Sequence, residues 1–310
     1  MLVLFGPDIR QSKGGVSVFL ERLKGKMLDS KVVHLYWKSS LKEFKSALRV
    51  RIWHVNVSSR LHLYVAYLVL FFGKKVLIHL HNDRVKINEV LLNFVGNESY
   101  VVAFVSYKLF ECSGIKSSKK LYLPAYIPAE IYQYREFASS SKKQVVFSLW
   151  KYEKGFSEEA YGLDLLVLLI KKFTDEVDWH IFIGDNYKGL SEYLMTSGVD
   201  ISNIDFKVSQ ELVPFLADAD ILLRLNRRDG YGLVVHEALD NGCWALASNC
   251  CVRTDQTVLF ETGDIADLEE KFSYLLSCSR SPKLQSNFDC FSELQKIYKF
   301  LNETTDTKTW

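Results

Sequence analysis

Residues 217–248 read ADADILLRLNRRDGYGLVVHEALDNGCWALAS. The apolar run Asp220–Leu225 predicts a strand, Val234–Asn241 predicts a helix, and Cys243–Ser248 predicts a second strand. A strand, a helix and a strand in this order form a unit with two parallel strands and the helix on one face of the sheet. Gly230-Tyr231-Gly232 precedes the helix, where glycines let backbone N–H groups approach a phosphate.

Two carboxylates eight residues apart flank the start of this helix. Asp229 lies on the loop and Glu237 lies about a turn inside the helix, so both can reach one ligand at the helix N-terminus. A nucleotide sugar suits this arrangement, because the N–H groups and the helix dipole hold its diphosphate while a carboxylate accepts the ribose hydroxyls.

The alternation of short strands and amphipathic helices extends over the whole chain. It predicts one Rossmann-like α/β domain over residues 1–137, a serine-rich linker over 138–143 and a second such domain over 144–310. Open parallel sheets bind ligands outside the carboxyl ends of their strands. We therefore expect the active site in the cleft between the two domains.

Composition excludes several classes of protein. The chain has 310 residues, of which 48% are hydrophobic, which is enough for two domains with separate cores. Its six cysteines show no CxxC pattern, so they predict reduced thiols rather than a zinc site or a disulfide framework. The apolar run Leu61–Phe72 is shorter than the ~20 residues that span a bilayer. Residues 1–5 lack the basic leader of a signal peptide, so we expect a cytoplasmic protein.

Charge divides the chain into two different halves. Residues 1–135 contain 21 Lys and Arg against 9 Asp and Glu, whereas the remainder contains 18 against 28. The basic half can attract anionic lipid headgroups or phosphorylated substrates, or carry only solvated side chains. The acidic half, together with the lack of a recognised nucleic-acid-binding module, indicates no nucleic-acid partner.

The N-terminal domain offers two candidate features. Gly14-Gly15 opens the predicted helix Val16–Met27 after the first strand, where a phosphate can bind or a plain turn can form. His79 and His81 follow the strand that begins at Lys75, and His81 is the better candidate for the ligand site because polar residues follow it. We expect no metal, since no third ligand accompanies the two histidines at a suitable spacing.

The segment around Asp229 resembles the carboxylate signature of retaining GT-B glycosyltransferases. The similarity is to glycosyltransferase family 4, with its bacterial polysaccharide and lipopolysaccharide group 1 enzymes, whose signature is usually written E-G-F-G-x-x-x-x-E-A. This chain reads Asp229-Gly230-Tyr231-Gly232, four further residues, then Glu237-Ala238. Other landmarks follow in family order: Gly14-Gly15, His81, Ser106 at the end of the next strand, the proline segment 124–128, Gly242 and Ala247-Ser248.

The chain departs from the family pattern at two places. The first carboxylate is Asp229, which is one methylene shorter than the usual glutamate. The segment 148–155, SLWKYEKG, replaces G-R-L-x-x-x-K-G, so the phosphate-binding arginine is missing. Lys154 matches the motif lysine, and Lys151 is the candidate for the missing charge. A second alignment instead places Tyr161-Gly162-Leu163 at the start of that helix.

The resemblance implies a GT-B fold and assigns roles to residues. The expected catalytic residues are His81 beside the sugar, Asp229 on the donor sugar and Lys154 on the diphosphate. The expected donor-binding residues are Gly14, Gly15, Lys151, Gly184, Arg224, Gly230, Tyr231, Gly232 and Glu237, of which Glu237 holds the ribose. No metal or other cofactor is expected. The terminal helix 288–301 is expected to cross back to the N-terminal domain.

The implied reaction moves a sugar from a nucleoside-diphosphate sugar to a glycan or lipid-linked acceptor, with retention of configuration, in bacterial surface polysaccharide assembly. The basic N-terminal domain predicts a peripheral contact with an anionic membrane, with exposed aromatics at Tyr36-Trp37 and in the stretch Arg49–Trp53. Two alternatives remain at this point: a nucleotide-sugar epimerase of the same fold, and a noncatalytic relative that binds a nucleotide or a glycan.

Overall fold

The chain divides into two compact units. In the computed structural model, the described residues are 1–8, 15–27, 32–36, 38–81, 85–95, 99–128, 142–279 and 290–303. The first unit comprises Met1–Ile127 with Phe288–Trp310, and the second comprises Pro128–Asn287. Of the predicted linker 138–143, only residues 142–143 are among those described, and they lead into the first strand of the second unit.

The first unit is a six-stranded parallel sheet with helices on both faces. Its strands are β1 (Leu2–Gly6), β2 (Val32–Tyr36), β3 (Ile52–Val57), β4 (Lys75–Leu80), β5 (Tyr100–Phe104) and β6 (Lys120–Tyr122). Its helices are α1 (Gly15–Lys26), α2 (Leu41–Ala47), α3 (Arg60–Phe71), α4 (Glu89–Val95), α5 (Tyr107–Cys112) and, from the C-terminal segment, α12 (Cys290–Glu303). The strand order is β2, β1, β3, β4, β5, β6.

The central strand β3 is buried on both faces. Trp53, Val55 and Val57 belong to the core cluster that includes the buried side of α3, while alternate residues point to the opposite face. Trp53 is fully buried and donates its Nε1–H to the carbonyl of Val50 at 3.2 Å. The prediction of an exposed aromatic at Trp53 is therefore wrong, because a central strand of a doubly covered sheet has no solvent side.

The second unit repeats the architecture. Its strands are β7 (Lys143–Lys151), β8 (Val177–Asp185), β9 (Ile204–Val208), β10 (Ile221–Arg224), β11 (Trp244–Ser248) and β12 (Val258–Phe260). Its helices are α6 (Phe156–Tyr161), α7 (Leu163–Lys172), α8 (Tyr187–Thr196), α9 (Val213–Leu216), α10 (Leu233–Asp240) and α11 (Ile265–Ser277). The parallel strands follow the order β12, β11, β10, β7, β8, β9, as in a doubly wound sheet.

The strand order of the second unit reverses between β7 and β10. These two strands pair in parallel, with Val145 opposite Ile221 and Phe147 opposite Leu223. The chain leaves β7 toward β8 on one side and leaves β10 toward β11 on the other, so the loops that follow the two strands diverge. Such a switch point is where open α/β sheets bind ligands. It lies next to the loop that the sequence singled out.

A hydrogen-bonded chain joins α12 to the core of the first unit. The Nε2 atom of His79 lies 3.0 Å from the carbonyl oxygen of Leu123 and must donate to it. Neutral His79 therefore accepts at Nδ1 from His54 Nε2 at 3.3 Å, and His54 Nδ1 accepts the hydroxyl of Tyr298 at 2.7 Å. One tautomer of each ring satisfies the whole chain, and it fixes α12 against β3 and β4.

Burial keeps both imidazoles neutral. It lowers the pKa of His79 from 6.5 to about 4, and burial together with the neighbouring His79 lowers the pKa of His54 well below 6.5. In the unfolded chain both rings titrate near the ordinary value. As the pH falls below that value the unfolded state binds more protons than the folded state, so the folded state loses stability.

No helix in the ranges described above combines the length and the apolar character needed to cross a bilayer.

We expect the first unit to lose about 1.4 kcal/mol of unfolding free energy per buried histidine one pH unit below the unfolded pKa. Urea titrations read by hydrogen exchange of the β3 and β4 peptides, at about pH 7.5 and about pH 5.5, measure this difference. His79→Gln should reduce the difference by about 1.4 kcal/mol. His180→Gln in the second unit is the control and should leave it unchanged; an unchanged difference in His79→Gln would contradict the neutral chain.

Candidate functional site

The candidate site is built on the loop 225–232, which joins β10 to α10. Asp229 anchors this loop through both carboxylate oxygens. Its Oδ1 accepts from Arg224 Nη2 at 3.2 Å and from the N–H of Gly230 at 3.0 Å. Its Oδ2 accepts from Arg224 Nε at 2.9 Å and from Arg253 Nη1 at 2.9 Å. These four hydrogen bonds occupy the acceptor positions that a carboxylate offers.

Two guanidinium groups keep Asp229 ionised inside the protein. Burial alone would raise the pKa of Asp229, but Arg224 and Arg253 outweigh it and hold the pKa well below its ordinary value. The side chain of Asp229 is only 10% exposed and that of Arg253 only 1%. Removing one partner from a desolvated cluster of this kind lowers the free energy of unfolding by several kcal/mol, because a charge is then left buried and uncompensated.

Arg253 is a residue of the candidate site that the sequence did not indicate. It follows β11, 24 residues after Asp229, and it also donates through Nη1 to the carbonyl of Tyr231 at 2.9 Å. Its Nε lies 3.4 Å from the carbonyl of Ser248, at the end of β11. No local pattern distinguishes this arginine from a solvated one, since its partners lie on elements that only the sheet brings together.

The glycine before α10 is required by this cluster. Gly232 has φ +73° and caps the N-terminus of α10. A Cβ atom there would lie 2.9 Å from Asp229 Oδ2 and closer still to Arg253 Nη1. Tyr231, the residue before it, stacks on His236 with ring centroids 4.8 Å apart. The loop therefore leaves no room for a side chain at position 232.

Glu237 lies on the second turn of α10 and is almost fully buried. Its backbone carbonyl accepts the side-chain amide of Asn241 at 2.8 Å. The hydroxyl of Ser248, at the end of β11, donates to the carbonyl of Asn226 and so holds the loop against that strand. Glu237 and the loop glycines thus belong to one continuous segment at the carboxyl end of β10.

The start of α7 contacts the same loop. Gly162, with φ +67°, lies so close to Leu225 that a Cβ would meet its carbonyl oxygen. Arg227 forms two hydrogen bonds of 2.7 Å with the carboxylate of Asp164 on α7. Burial raises the pKa of Tyr161, and Arg224 and Asp229 lie near enough to influence it in opposite directions. The segment of the second sequence alignment therefore contacts the loop.

The two lysines and Gly184 lie at or just after the carboxyl ends of β7 and β8. Lys154 is exposed in the turn before α6. Lys151 ends β7 and lies 3.4 Å from Glu153 and 3.9 Å from Asp185. Gly184 packs against Trp150, whose carbonyl oxygen would be 2.6 Å from a Cβ at this position. Gly184 thus has a packing reason of its own, apart from any contact with a ligand.

In the first unit, His81 follows β4 and is oriented by Asn56. Its Nε2 donates to Asn56 Oδ1 at 2.9 Å, and Asn56 Nδ2 lies 3.4 Å from the carbonyl of Phe5. Burial, together with the nearby histidines His79, His54 and His62, holds the pKa of His81 well below its ordinary value. Neutral His81 therefore keeps Nδ1 as an acceptor. Gly15 is the first residue of α1, and Gly14 lies outside the described residues.

A search of the described ranges for three or more His, Cys, Asp or Glu side chains that could hold a metal ion finds no such group. All six cysteines are described and none forms a disulfide. Cys250 and Cys251 adjoin the site: Cys250 Sγ accepts from Ser248 Oγ at 3.3 Å and lies 3.8 Å from Arg253 Nη2. A hydrogen bond from Cys251, with help from these two groups, lowers the pKa of Cys250.

Comparisons with solved structures identify the architecture. Sucrose-phosphate synthase from Thermosynechococcus elongatus superposes with a TM-score of 0.72 at 10% identity, covering 98% of this chain and 99% of that one. The lipopolysaccharide outer core galactosyltransferase WaaB in its apo form has a TM-score of 0.59 at 13% identity, covering 89% of this chain and 90% of that one. The chain has the GT-B fold. This confirms the predicted fold class of two Rossmann-like α/β domains.

A third GT-B structure, WaaG, a glycosyltransferase involved in lipopolysaccharide biosynthesis, has a TM-score of 0.57 at 13% identity and covers 100% of this chain and 96% of that one. No protein-family profile and no curated protein sequence matches the chain. The similarity to these GT-B proteins is therefore one of fold, and function has to be argued from the residues of the site.

We expect Arg253→Ala to destabilise the second unit by about 3 to 5 kcal/mol, because Asp229 would keep a single buried counter-charge. Arg228→Ala is the matched control. Arg228 pairs with Glu159 at 2.6 Å on the surface, where both side chains are more than half exposed, so its loss should change stability by less than about 1 kcal/mol. Urea unfolding read by hydrogen exchange of the β10 and β11 peptides compares the two, and equal losses would contradict the buried cluster.

We also expect Cys250 to react with iodoacetamide at lower pH than an ordinary cysteine thiol. The thiolate is the nucleophile, so a lowered pKa makes the alkylation rate reach its plateau at a lower pH. Peptide mass spectrometry after timed alkylation at several pH values measures Cys250 and the exposed Cys112 in one sample. Ser248→Ala removes one donor to Cys250 Sγ and should move the Cys250 profile toward higher pH while the Cys112 profile stays unchanged; an unchanged Cys250 profile in this variant would refute the assignment.

Proposed function

We propose that this protein is a glycosyltransferase that transfers a sugar from a nucleoside-diphosphate sugar to a glycan or lipid-linked acceptor. The observation that carries the proposal lies at the switch point of the second unit. There Arg224 and Arg253 hold the glycine loop through Asp229, and α10 with Glu237 follows the loop. Ligands of open α/β sheets bind at this place. The GT-B neighbours, which include a galactosyltransferase and a glycosyltransferase, support the same reading.

The donor would bind at the N-terminus of α10. The N–H groups at the start of α10 lie at the positive end of its dipole, so they suit a diphosphate. Glu237, on the next turn, would accept hydrogen bonds from the ribose hydroxyls. Arg224 has 16% of its side chain exposed and can add a positive charge, whereas the enclosed Arg253 serves the loop.

Asp229 is assigned to positioning in this proposal. Its acceptor positions are filled by Arg224, Arg253 and Gly230. A direct contact with the donor sugar would require it to release one of these donors. Its shorter side chain, compared with a glutamate, therefore suits the task of orienting Arg224 and the loop.

The transfer itself would proceed with retention and without a metal. In this mechanism the leaving diphosphate oxygen takes the proton of the acceptor hydroxyl on the face where the new glycosidic bond forms. Lys151 and Lys154 would stabilise the charge that develops on the diphosphate. His81 would accept a hydrogen bond from a sugar hydroxyl at Nδ1, since its Nε2–H is committed to Asn56.

The proposed setting is the assembly of a bacterial surface polysaccharide, with the protein at the inner face of the cytoplasmic membrane. Two neighbours act in lipopolysaccharide synthesis. The basic N-terminal half, with 21 Lys and Arg against 9 Asp and Glu over residues 1–135, suits phosphate-bearing lipid acceptors. A noncatalytic nucleotide-binding relative is the second candidate, because the family arginine is missing and Asp229 is fully hydrogen-bonded.

Thermal unfolding with UDP, GDP, ADP or CMP tests donor binding. A nucleotide at ~100-fold excess over its Kd should stabilise the protein by about 2.7 kcal/mol. Glu237→Gln should abolish the shift, whereas Glu192→Gln, at an exposed position on α8, should retain it. The absence of a shift with every nucleotide would contradict a nucleotide-sugar donor site.

The nucleotide that binds then guides an activity assay with its sugar derivatives and mixed lipid-linked acceptors. Release of free diphosphate nucleotide only when an acceptor is present indicates a transferase. An altered sugar without an acceptor indicates an epimerase, and binding without turnover of any donor indicates the noncatalytic relative.

A further inference from the structure

Two neighbouring helices of the first unit expose continuous apolar stripes. On and directly after α3 the exposed large side chains are Leu61, Tyr64, Leu68, Phe71 and Phe72. Their spacing places them on one side of the helix, within an arc of about 100°. On α4 the exposed large side chains are Val90, Leu91 and Phe94. We call these eight residues the α3–α4 face.

The residues of the α3–α4 face are not part of the core of the first unit. The opposite side of α3 carries Leu63, Ala66 and Leu70, which are buried against the sheet and supply the packing. By contrast, Phe71 is 73% exposed and Phe94 is 84% exposed. A helix on a water-exposed surface normally has a polar outer side. An apolar outer side on two adjacent helices is the mark of an interaction surface.

The two stripes belong to one surface because α3 and α4 are held together. The hydroxyl of Tyr67 on α3 accepts the backbone N–H of Asn88, directly before α4, at 2.8 Å. Leu92 of α4 is buried in the same core cluster as the inner side of α3. Substitution on the outer side therefore leaves this packing intact.

We infer that the α3–α4 face inserts into the interfacial region of a lipid bilayer that carries anionic headgroups. The inference deepens the membrane association that is part of the proposed function and assigns it to particular residues. The aromatic residues of the α3–α4 face take the place of Trp53 as the expected contact with the membrane, since Trp53 is buried.

The basic side chains around the α3–α4 face favour a lipid surface, rather than a second copy of the chain, as its partner. Arg60 begins α3, Lys74 follows its end, and the exposed Lys86 precedes α4, while Glu89 is the one acidic residue among the described residues of this stretch. Basic side chains at the rim of an apolar surface reach anionic headgroups while their stems remain among the apolar groups. Two copies of the chain docked through this face would bring two basic rims together and repel each other.

The dimensions fit a helix that lies in the plane of the membrane. The 12 residues of α3 extend over about 18 Å, which is less than the ~30 Å of the hydrocarbon core. A helix of this length with an exposed apolar side fits the headgroup boundary, with that side inward. Tyr64, which is 63% exposed, has the apolar ring and polar hydroxyl that suit this boundary.

Flotation of the full chain with phosphatidylcholine vesicles, with and without phosphatidylglycerol, tests the inference. The protein should float with the anionic vesicles and less with the neutral ones, and added salt should weaken the binding. The double variant Phe71→Ser/Phe94→Ser should bind at least about tenfold less well, because two exposed rings no longer enter the apolar region. Tyr274→Ser, at an exposed aromatic on α11 of the second unit, is the control and should float as the unaltered protein does.

Three results would overturn the inference: no flotation of the unaltered protein, equal flotation of the double variant, or a dimer in solution that the double variant abolishes while lipid binding is absent. Glu237→Gln separates this test from that of the proposed function. It should float normally even though its nucleotide shift is lost, so a failure of donor binding and a failure of membrane binding are read independently.

Discussion

The ion cluster of Asp229 with Arg224 and Arg253 is the constraint on which the second unit's site depends. It draws together the end of β10, the loop before α10 and the segment after β11. Because these charges are removed from water, each is stable only while its partners stay in place. The positive φ of Gly232, and the absence of a side chain there, follow from the position of the Arg253 guanidinium. The start of α10 is thus fixed by electrostatics rather than by helix propensity.

The first unit also buries polar groups, but these groups are neutral. His54, His79 and Tyr298 form a chain in which every donor has an acceptor, and no charge has to be desolvated. This arrangement connects a C-terminal helix to strands more than 200 residues earlier in the sequence. It also sets the environment of His81, whose ring centroid lies 4.4 Å from that of His79. Burial is the main reason that the pKa of His81 is lowered, and the neighbouring histidines add to it.

Much of the fold was predictable because it depends on near neighbours in the chain. Apolar runs predicted β10 and β11, and helical spacing predicted α1 and α10, all within one residue of the observed bounds. The sequence did not indicate β12, which is three residues long, or α2, which is short and held by a capping box between Ser40 and Glu43. Trp53 was misassigned because β3 occupies the sheet centre, which its own sequence does not reveal.

By itself the sequence determined the two α/β units and the position of the Asp229–Glu237 segment, because periodicity and glycine placement are properties of residues close along the chain. Only the tertiary structure decided that Asp229 accepts hydrogen bonds from two arginines, one of them 24 residues away. It also decided that one side of the apolar run after Arg60 faces the core while the other side is exposed. Burial and charge pairing depend on which elements become neighbours, and the sheet order of each unit makes that choice.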